Sequence, residues 1–182
     1  MNQICISFTN ETPGINLELV SMAGVGLPLP DNSSFNRPVV NNLTAIWDTG
    51  ATGCAITEKV ASQVKAPIIN QVLVGGVHGA QMCNQYLISL FLPNGVFLPE
   101  VTVTELSADA GCDLLIGMDI ISLGDFSTST IGGRTSFSFR IPSCQKQDYA
   151  KFWPKDTSIC TCGSGNMFKN CCKRMIPKGV LR

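Results

Sequence analysis

The sequence predicts a mainly β domain with one or two short helices, followed by a small cysteine-rich appendage. Three observations carry that expectation. Before Pro142 the chain is a series of short apolar runs, several of them alternating, cut by Gly, Pro and Asn turns. The charge then changes sign. Residues 1–141 hold five Lys/Arg and eleven Asp/Glu, a balance of −6, whereas residues 142–182 hold eight and two, a balance of +6. Finally, four of the nine cysteines (Cys160, Cys162, Cys171 and Cys172) crowd into thirteen residues. A chain of 182 residues suits one core domain plus such an appendage, and a 45% hydrophobic content excludes a disordered polymer.

The elements follow in order. Ile4, Ile6 and Phe8 alternate, as do Ile15, Leu17 and Leu19, so both stretches read as strands. Pro28, Pro30, Asp31, Asn32 and Ser33 mark a loop. Leu43 to Trp47 is an apolar strand. A helix is expected over Thr57 to Val64, with Thr57 as its cap. Val72 to Val74 leads into Gly75-Gly76, and His78-Gly79 follows, which predicts a glycine-rich hairpin tip. Pro93-Asn94-Gly95 separates Leu87–Leu92 from Val96–Leu98 as a second hairpin. Val101 and Val103 alternate with threonines, and Asp113 to Ile116 is a buried strand ending at Gly117. Met118 to Leu123 reads as a short helix stopped by Gly124, and Phe137, Phe139 and Ile141 close the domain as a strand.

The strand Leu43–Trp47 ends on Asp48-Thr49-Gly50, a triplet that occurs once. A carboxylate on a tight turn at a strand end has a specific use. Amide hydrolysis without a metal or covalent nucleophile needs an activated water and a proton donor. Two apposed carboxylates supply both, because they cannot both ionise easily at short range. Thr49 can brace the turn with its hydroxyl, and Gly50 lets the backbone approach closely. Asp113, Asp119 and Asp125 lie in no comparable turn, so the second carboxylate is expected from a second copy in a twofold dimer. Asp119, after Gly117, reads as a helix-start residue bonded to nearby amides. Of the scattered cysteines, Cys54 lies nearest the triplet and reads as a small buried apolar residue, a reactive thiol being the lesser alternative.

Three pieces together, Asp48-Thr49-Gly50-Ala51, Val74-Gly75-Gly76-Val77-His78-Gly79 and Leu114-Leu115-Ile116-Gly117, resemble the retropepsin-type aspartic proteases over roughly residues 1–142. The resemblance implies a closed acid-protease barrel acting as a homodimer on peptide or protein substrates. Asp48, Thr49 and Gly50 would form the catalytic turn, and Gly75, Gly76, Val77, His78 and Gly79 a substrate-binding flap. Viral members pair an aspartate after this turn with an arginine after the late glycine. Here those places hold Thr52 and Met118, which is more similar to the cellular and bacterial branch, such as the Ddi-type proteins. His78, the single histidine, sits on a turn with no metal partner beside it and reads as an exposed residue.

Cys160-Thr161-Cys162, eight further residues and Cys171-Cys172 give four thiolates able to close a tetrahedral zinc site. Gly163-Ser164-Gly165 permits the turn, and Lys169, Lys173 and Arg174 would offset the thiolate charge. A segment this short needs the metal to fold. The alternative is two disulfides or a redox pair, which a reducing compartment disfavours. The pattern resembles the SEC-C motif, and that resemblance implies zinc and docking of a protein or ribosome. The organisation expected is therefore a protease domain over 1–142, a linker over 143–157 and a zinc knuckle over 158–175. The N-terminus has neither a basic segment nor a long apolar run, so a cytoplasmic protein without a membrane anchor is expected. Nucleic-acid binding by the basic end is the minority reading, since zinc thiolates would cancel much of its field. The rival from another class is a non-catalytic dimeric scaffold with the knuckle as its working end.

Overall fold

A computed structural model describes residues 6–28, 39–76, 79–151 and 154–176. Ten strands and two short helices make up the regular structure there. The strands are β1 (Ile6–Pro13), β2 (Leu19–Gly26), β3 (Val39–Trp47), β4 (Ala55–Thr57), β5 (Ile68–Gly76), β6 (Gly79–Phe91), β7 (Phe97–Leu106), β8 (Leu114–Ile116), β9 (Asp125–Ser129) and β10 (Arg134–Ile141). Helix α1 spans Glu58–Val64 and α2 spans Met118–Ile121. The mainly β class expected from the sequence is the class observed.

One sheet runs β2-β3-β8-β4-β7-β6-β5, and β2 also pairs with β6. That extra pairing closes a ring. β2 pairs with β3 from Leu19 to Gly26, with a register shift between Ala23 and Val25, and on its other edge Gly24, Val25 and Gly26 pair with Phe91, Leu90 and Ser89 of β6. The irregularity bends the strand where the ring closes. Closure leaves few open edges and directs the alternate side chains inward. Val25, Ala45, Ile56, Ile88, Leu90, Val103, Leu114 and Ile116 form a core without solvent contact or nearly so.

The second sheet, β1-β10-β9, packs on the ring through aromatic side chains. Trp47, the last residue of β3, stacks on Phe126 at 5.7 Å and 14°, and lies 4.9 Å from Phe139. Phe8 and Phe137 complete the cluster. The Trp47 indole N–H donates to Ser21 Oγ at 2.9 Å, so its one polar atom is satisfied inside the core. Each such ring pair adds about 0.5–1.5 kcal/mol beyond area burial. The residue that ends β3 is thereby fixed, and the next residue, Asp48, inherits that anchor.

Helix α1 forms as expected. Thr57 takes an extended conformation and its hydroxyl accepts from Val60 N–H, while Lys65 closes the other end in the left-handed region. Val60, Ala61 and Val64 are the buried face. Two expectations fail. Ile15, Leu17 and Leu19 do not alternate in a strand: β1 ends at Pro13, and Ile15 and Leu17 are 69% and 98% exposed. Gly14 turns there at φ +79°, and Thr135 Oγ1 fixes the turn by donating to Gly14 O and accepting from Asn16 N–H. The helix expected to Leu123 stops at Ile121, and Gly124 is not its terminator. A Cβ at Gly124 would lie 1.9 Å from Arg140 O, so that glycine is required by contact with β10.

After β10 the first linker residues are pinned. Asp125 accepts from the Ser143 hydroxyl at 2.6 Å, from Cys144 N–H at 2.9 Å and from the Arg140 guanidinium. The Ser143 bond foremost, then Cys144 N–H and Arg140, hold its carboxyl well below the usual carboxylate range. Phe152 and Trp153 lie outside the described residues. Among the described residues no helix is long and apolar enough to cross a membrane.

Candidate active site

Asp48 is the first residue beyond β3. Its N–H donates to Ile116 O on β8 at 2.9 Å, and its own carbonyl accepts from Ala51 N–H at 3.3 Å. Oδ1 accepts from Gly50 N–H at 2.7 Å, while Oδ2 accepts no hydrogen bond among the described residues. The carboxylate is thus half-buried, held by one oxygen and open at the other. A Cβ at Gly50 would stand 3.1 Å from Asp48 Oδ1 and crowd the carboxylate. Thr49 is exposed, and its hydroxyl makes no bond within the described chain, so the intrachain brace expected of it is absent.

The loop from Asp48 to Cys54 is stitched to the segment Ile116–Ile120. Met118 N–H donates to Ala51 O at 2.8 Å, and Asp119 N–H donates to Thr52 O at 3.2 Å. Gly117 passes the backbone of Gly53 so closely that a Cβ would lie 2.5 Å from its C and O atoms. Asp119 Oδ2 accepts from Cys54 N–H at 2.9 Å. Its Oδ1 takes the Cys54 thiol at 3.0 Å and Ile120 N–H at 2.9 Å. The Cys54 sulfur in turn accepts from Gly117 N–H at 3.3 Å. Burial foremost, with Asp119 adding to it, pushes the Cys54 thiol far above its usual range, which makes it a poor nucleophile.

The remaining aspartates weighed as partners for Asp48 are engaged elsewhere. Asp113 accepts from Thr44 N–H at 2.9 Å, Asp119 holds Cys54, and Asp125 holds Arg140 and the linker. None pairs with Asp48.

The flap expectation lands on a hairpin. β5 and β6 pair in register out to Gly76↔Gly79, and β7 joins β6 only from Gln85 onward. Residues 70–76 and 79–84 therefore form a two-stranded arm, with Leu73 and Met82 paired and exposed. Gly75 and Gly76 end β5 and Gly79 opens β6, while Val77 and His78 lie outside the described residues. At the other end of β8 from Asp48, an open cavity of about 510 Å³ is lined by Glu58, Gln81, Cys83, Glu105 and Asp113, among others.

Sulfur atoms of Cys160, Cys162, Cys171 and Cys172 all lie within 4.8 Å of one another. They are free thiols: Cys162 Sγ and Cys171 Sγ are 3.4 Å apart, against about 2.05 Å for a disulfide. Four ligands at about 2.3 Å from a tetrahedral zinc would be about 3.8 Å apart, so the donor set fits such an ion. Local backbone bonds build the cluster. Cys160 N–H donates to Asn166 O at 2.7 Å, Ile159 bridges Met167, and Gly163 and Gly165 turn the chain at φ +80° and +74°. Phe168 is the buried plug beneath, tied to Ser158 O at 2.8 Å. The Ser164 hydroxyl, then its N–H and neighbouring thiols, bring Cys162 down to about 6. Cys172 is pushed up to about 12 by bonds to Cys160 and Cys162. Without a cation the cluster cannot ionise throughout, and a divalent ion would remove that conflict. Lys173 Nζ pairs with Asp156 at 2.6 and 2.8 Å.

The fold and site thus define a mainly β protein with an exposed Asp-Thr-Gly turn and a separate metal-competent thiol cluster. Among solved structures the chain is similar to a retropepsin-like aspartic protease from Rickettsia conorii, at 12% identity and a TM-score of 0.48, over 78% of this chain and 98% of that one. No protein-family profile matches the chain, and no curated protein does.

The Gly53–Gly117 contact predicts the effect of one methyl group. Gly117→Ala should destabilise the domain by about 3 kcal/mol, the upper end for overpacking, because backbone atoms cannot swing aside. Urea unfolding beside Gly75→Ala, which meets nothing within 4 Å, checks this; equal midpoints would show that the loop has slack.

Proposed function

We propose that the chain is an aspartic endopeptidase of the retropepsin type, of the cellular and bacterial branch, that works as a homodimer. The observation that carries the reading is Asp48 itself: a carboxylate at a rigid strand end, with one oxygen fixed by Gly50 and the other open. A single such group cannot both activate water and donate a proton. Asp113, Asp119 and Asp125 are committed elsewhere, which supports a second copy as the source of the partner.

In that dimer the two Asp48 carboxylates share one proton. The ionised one draws a proton from the water that attacks the peptide carbonyl. The protonated one donates to the carbonyl oxygen, and the amide nitrogen is then protonated as the C–N bond breaks. The Gly75–Gly79 hairpin is the element suited to cover an extended substrate and exclude water.

The C-terminal cluster is read as a SEC-C-like structural zinc knuckle that docks a protein or ribosome. Its free thiols suit a reducing, cytoplasmic setting.

Asp48→Asn should abolish cleavage of a peptide library while leaving the dimer intact in sedimentation. Cleavage retained by that variant would remove Asp48 from the mechanism, and a strictly monomeric wild type without cleavage would return the chain to the scaffold reading. For the knuckle, protein purified under reducing conditions should carry about one zinc per chain, as four thiolates close one site. Cys171→Ser with Cys172→Ser should lose it; wild type without zinc would defeat the metal claim.

A further inference from the structure

Thr52 and Met118 leave the active-site loop without an ion pair at its base, yet the loop is not loose. The carboxylate of Asp119 receives three donors, the amide and thiol of Cys54 and the amide of Ile120. The Cys54 sulfur passes the contact on by accepting from Gly117 N–H. A thiol that both donates and accepts links the loop, through Cys54, to the segment after β8. That segment also carries Ile116 O, the acceptor for Asp48 N–H. Asp48 is therefore held at one end by β8 directly and at the other by the Asp119–Cys54 clasp.

We propose that Asp119 and Cys54 are positioning residues for the catalytic carboxylate, fixing the angle at which Asp48 meets its mate. The proposal rests on the aspartic-protease reading above. Neither residue touches substrate. Cys54 is buried and Asp119 has both oxygens occupied, so their contribution is geometric. A dyad is sensitive to such geometry, because displacement by about 1 Å can cost about a hundredfold in rate. The chemistry of the clasp also specifies its substitutes. Serine at position 54 can donate to Asp119 and accept from Gly117 N–H, alanine can do neither, and asparagine at position 119 presents donors to donors.

The test compares Cys54→Ala, Cys54→Ser and Asp119→Asn in the full chain. Cys54→Ala and Asp119→Asn should lower kcat about 10- to 100-fold with little change in KM. Cys54→Ser should recover most of the loss. A role in stability alone would reduce the folded fraction without separating kcat from KM among folded molecules. Amide hydrogen exchange supplies a readout independent of activity. Exchange at Gly50, Ala51 and Cys54 should quicken about tenfold or more in Cys54→Ala, while β10 amides keep wild-type protection. Wild-type exchange at those three amides in both Cys54→Ala and Asp119→Asn would overturn the proposal, whatever the protein cleaves. Loss of the parent reading looks different: Asp48→Asn would then be as active as wild type, and the exchange comparison would still decide the clasp. Should Asp119→Asn fail to fold, the Ala and Ser variants at position 54 decide alone.

Discussion

Where the backbone of Gly53 passes Gly117 there is no room for a methyl group. This contact lets the loop after β3 lie flat against the segment after β8. The bonds Met118 N–H to Ala51 O and Asp119 N–H to Thr52 O form only at that separation. Asp119 then reaches Cys54, and the loop is fastened along its length. A side chain at Gly117 would push the segments apart, and the carboxylate at the loop's start would lose its reference. Rigidity at Asp48 thus depends on one missing Cβ atom, that of Gly117.

The loop itself hangs on a larger frame. Trp47 is wedged among Phe8, Phe126, Phe137 and Phe139, which joins the small sheet to the ring. The ring closes because β2 pairs with β3 on one edge and, from Gly24 to Gly26, with β6 on the other. Solvent-facing parts are less constrained. The β5–β6 arm stands on one neighbouring strand each way and carries exposed Leu73 and Met82. A two-stranded ribbon is marginal alone, which is compatible with the flap role proposed for it.

Much of this was legible in local sequence. The Thr57 cap, the glycine-flanked hairpin and the Pro93-Asn94-Gly95 turn each state their geometry within a few residues, and each formed. The thiol cluster was legible for the same reason, since four cysteines within thirteen residues cannot be far apart. Failures came where a distant partner decided the outcome. The Ile15–Leu19 alternation lost to a turn fixed by Thr135, more than a hundred residues away. Gly124 read as a helix stop but answers to Arg140. The Cys54–Asp119 clasp joins residues 65 positions apart, and no local pattern announces it. What the sequence did offer was the identity of the participants: a glycine after Ile116 and an acid two places beyond.

The active unit proposed is a pair of Asp48 turns, each rigid and incomplete. Mixing wild-type protein with inactive Asp48→Asn chains, under conditions where protomers exchange, tests this most directly. If each site needs both carboxylates, activity per total chain falls as the square of the wild-type fraction. A linear fall would mean that each chain cleaves by itself, and would contradict the account.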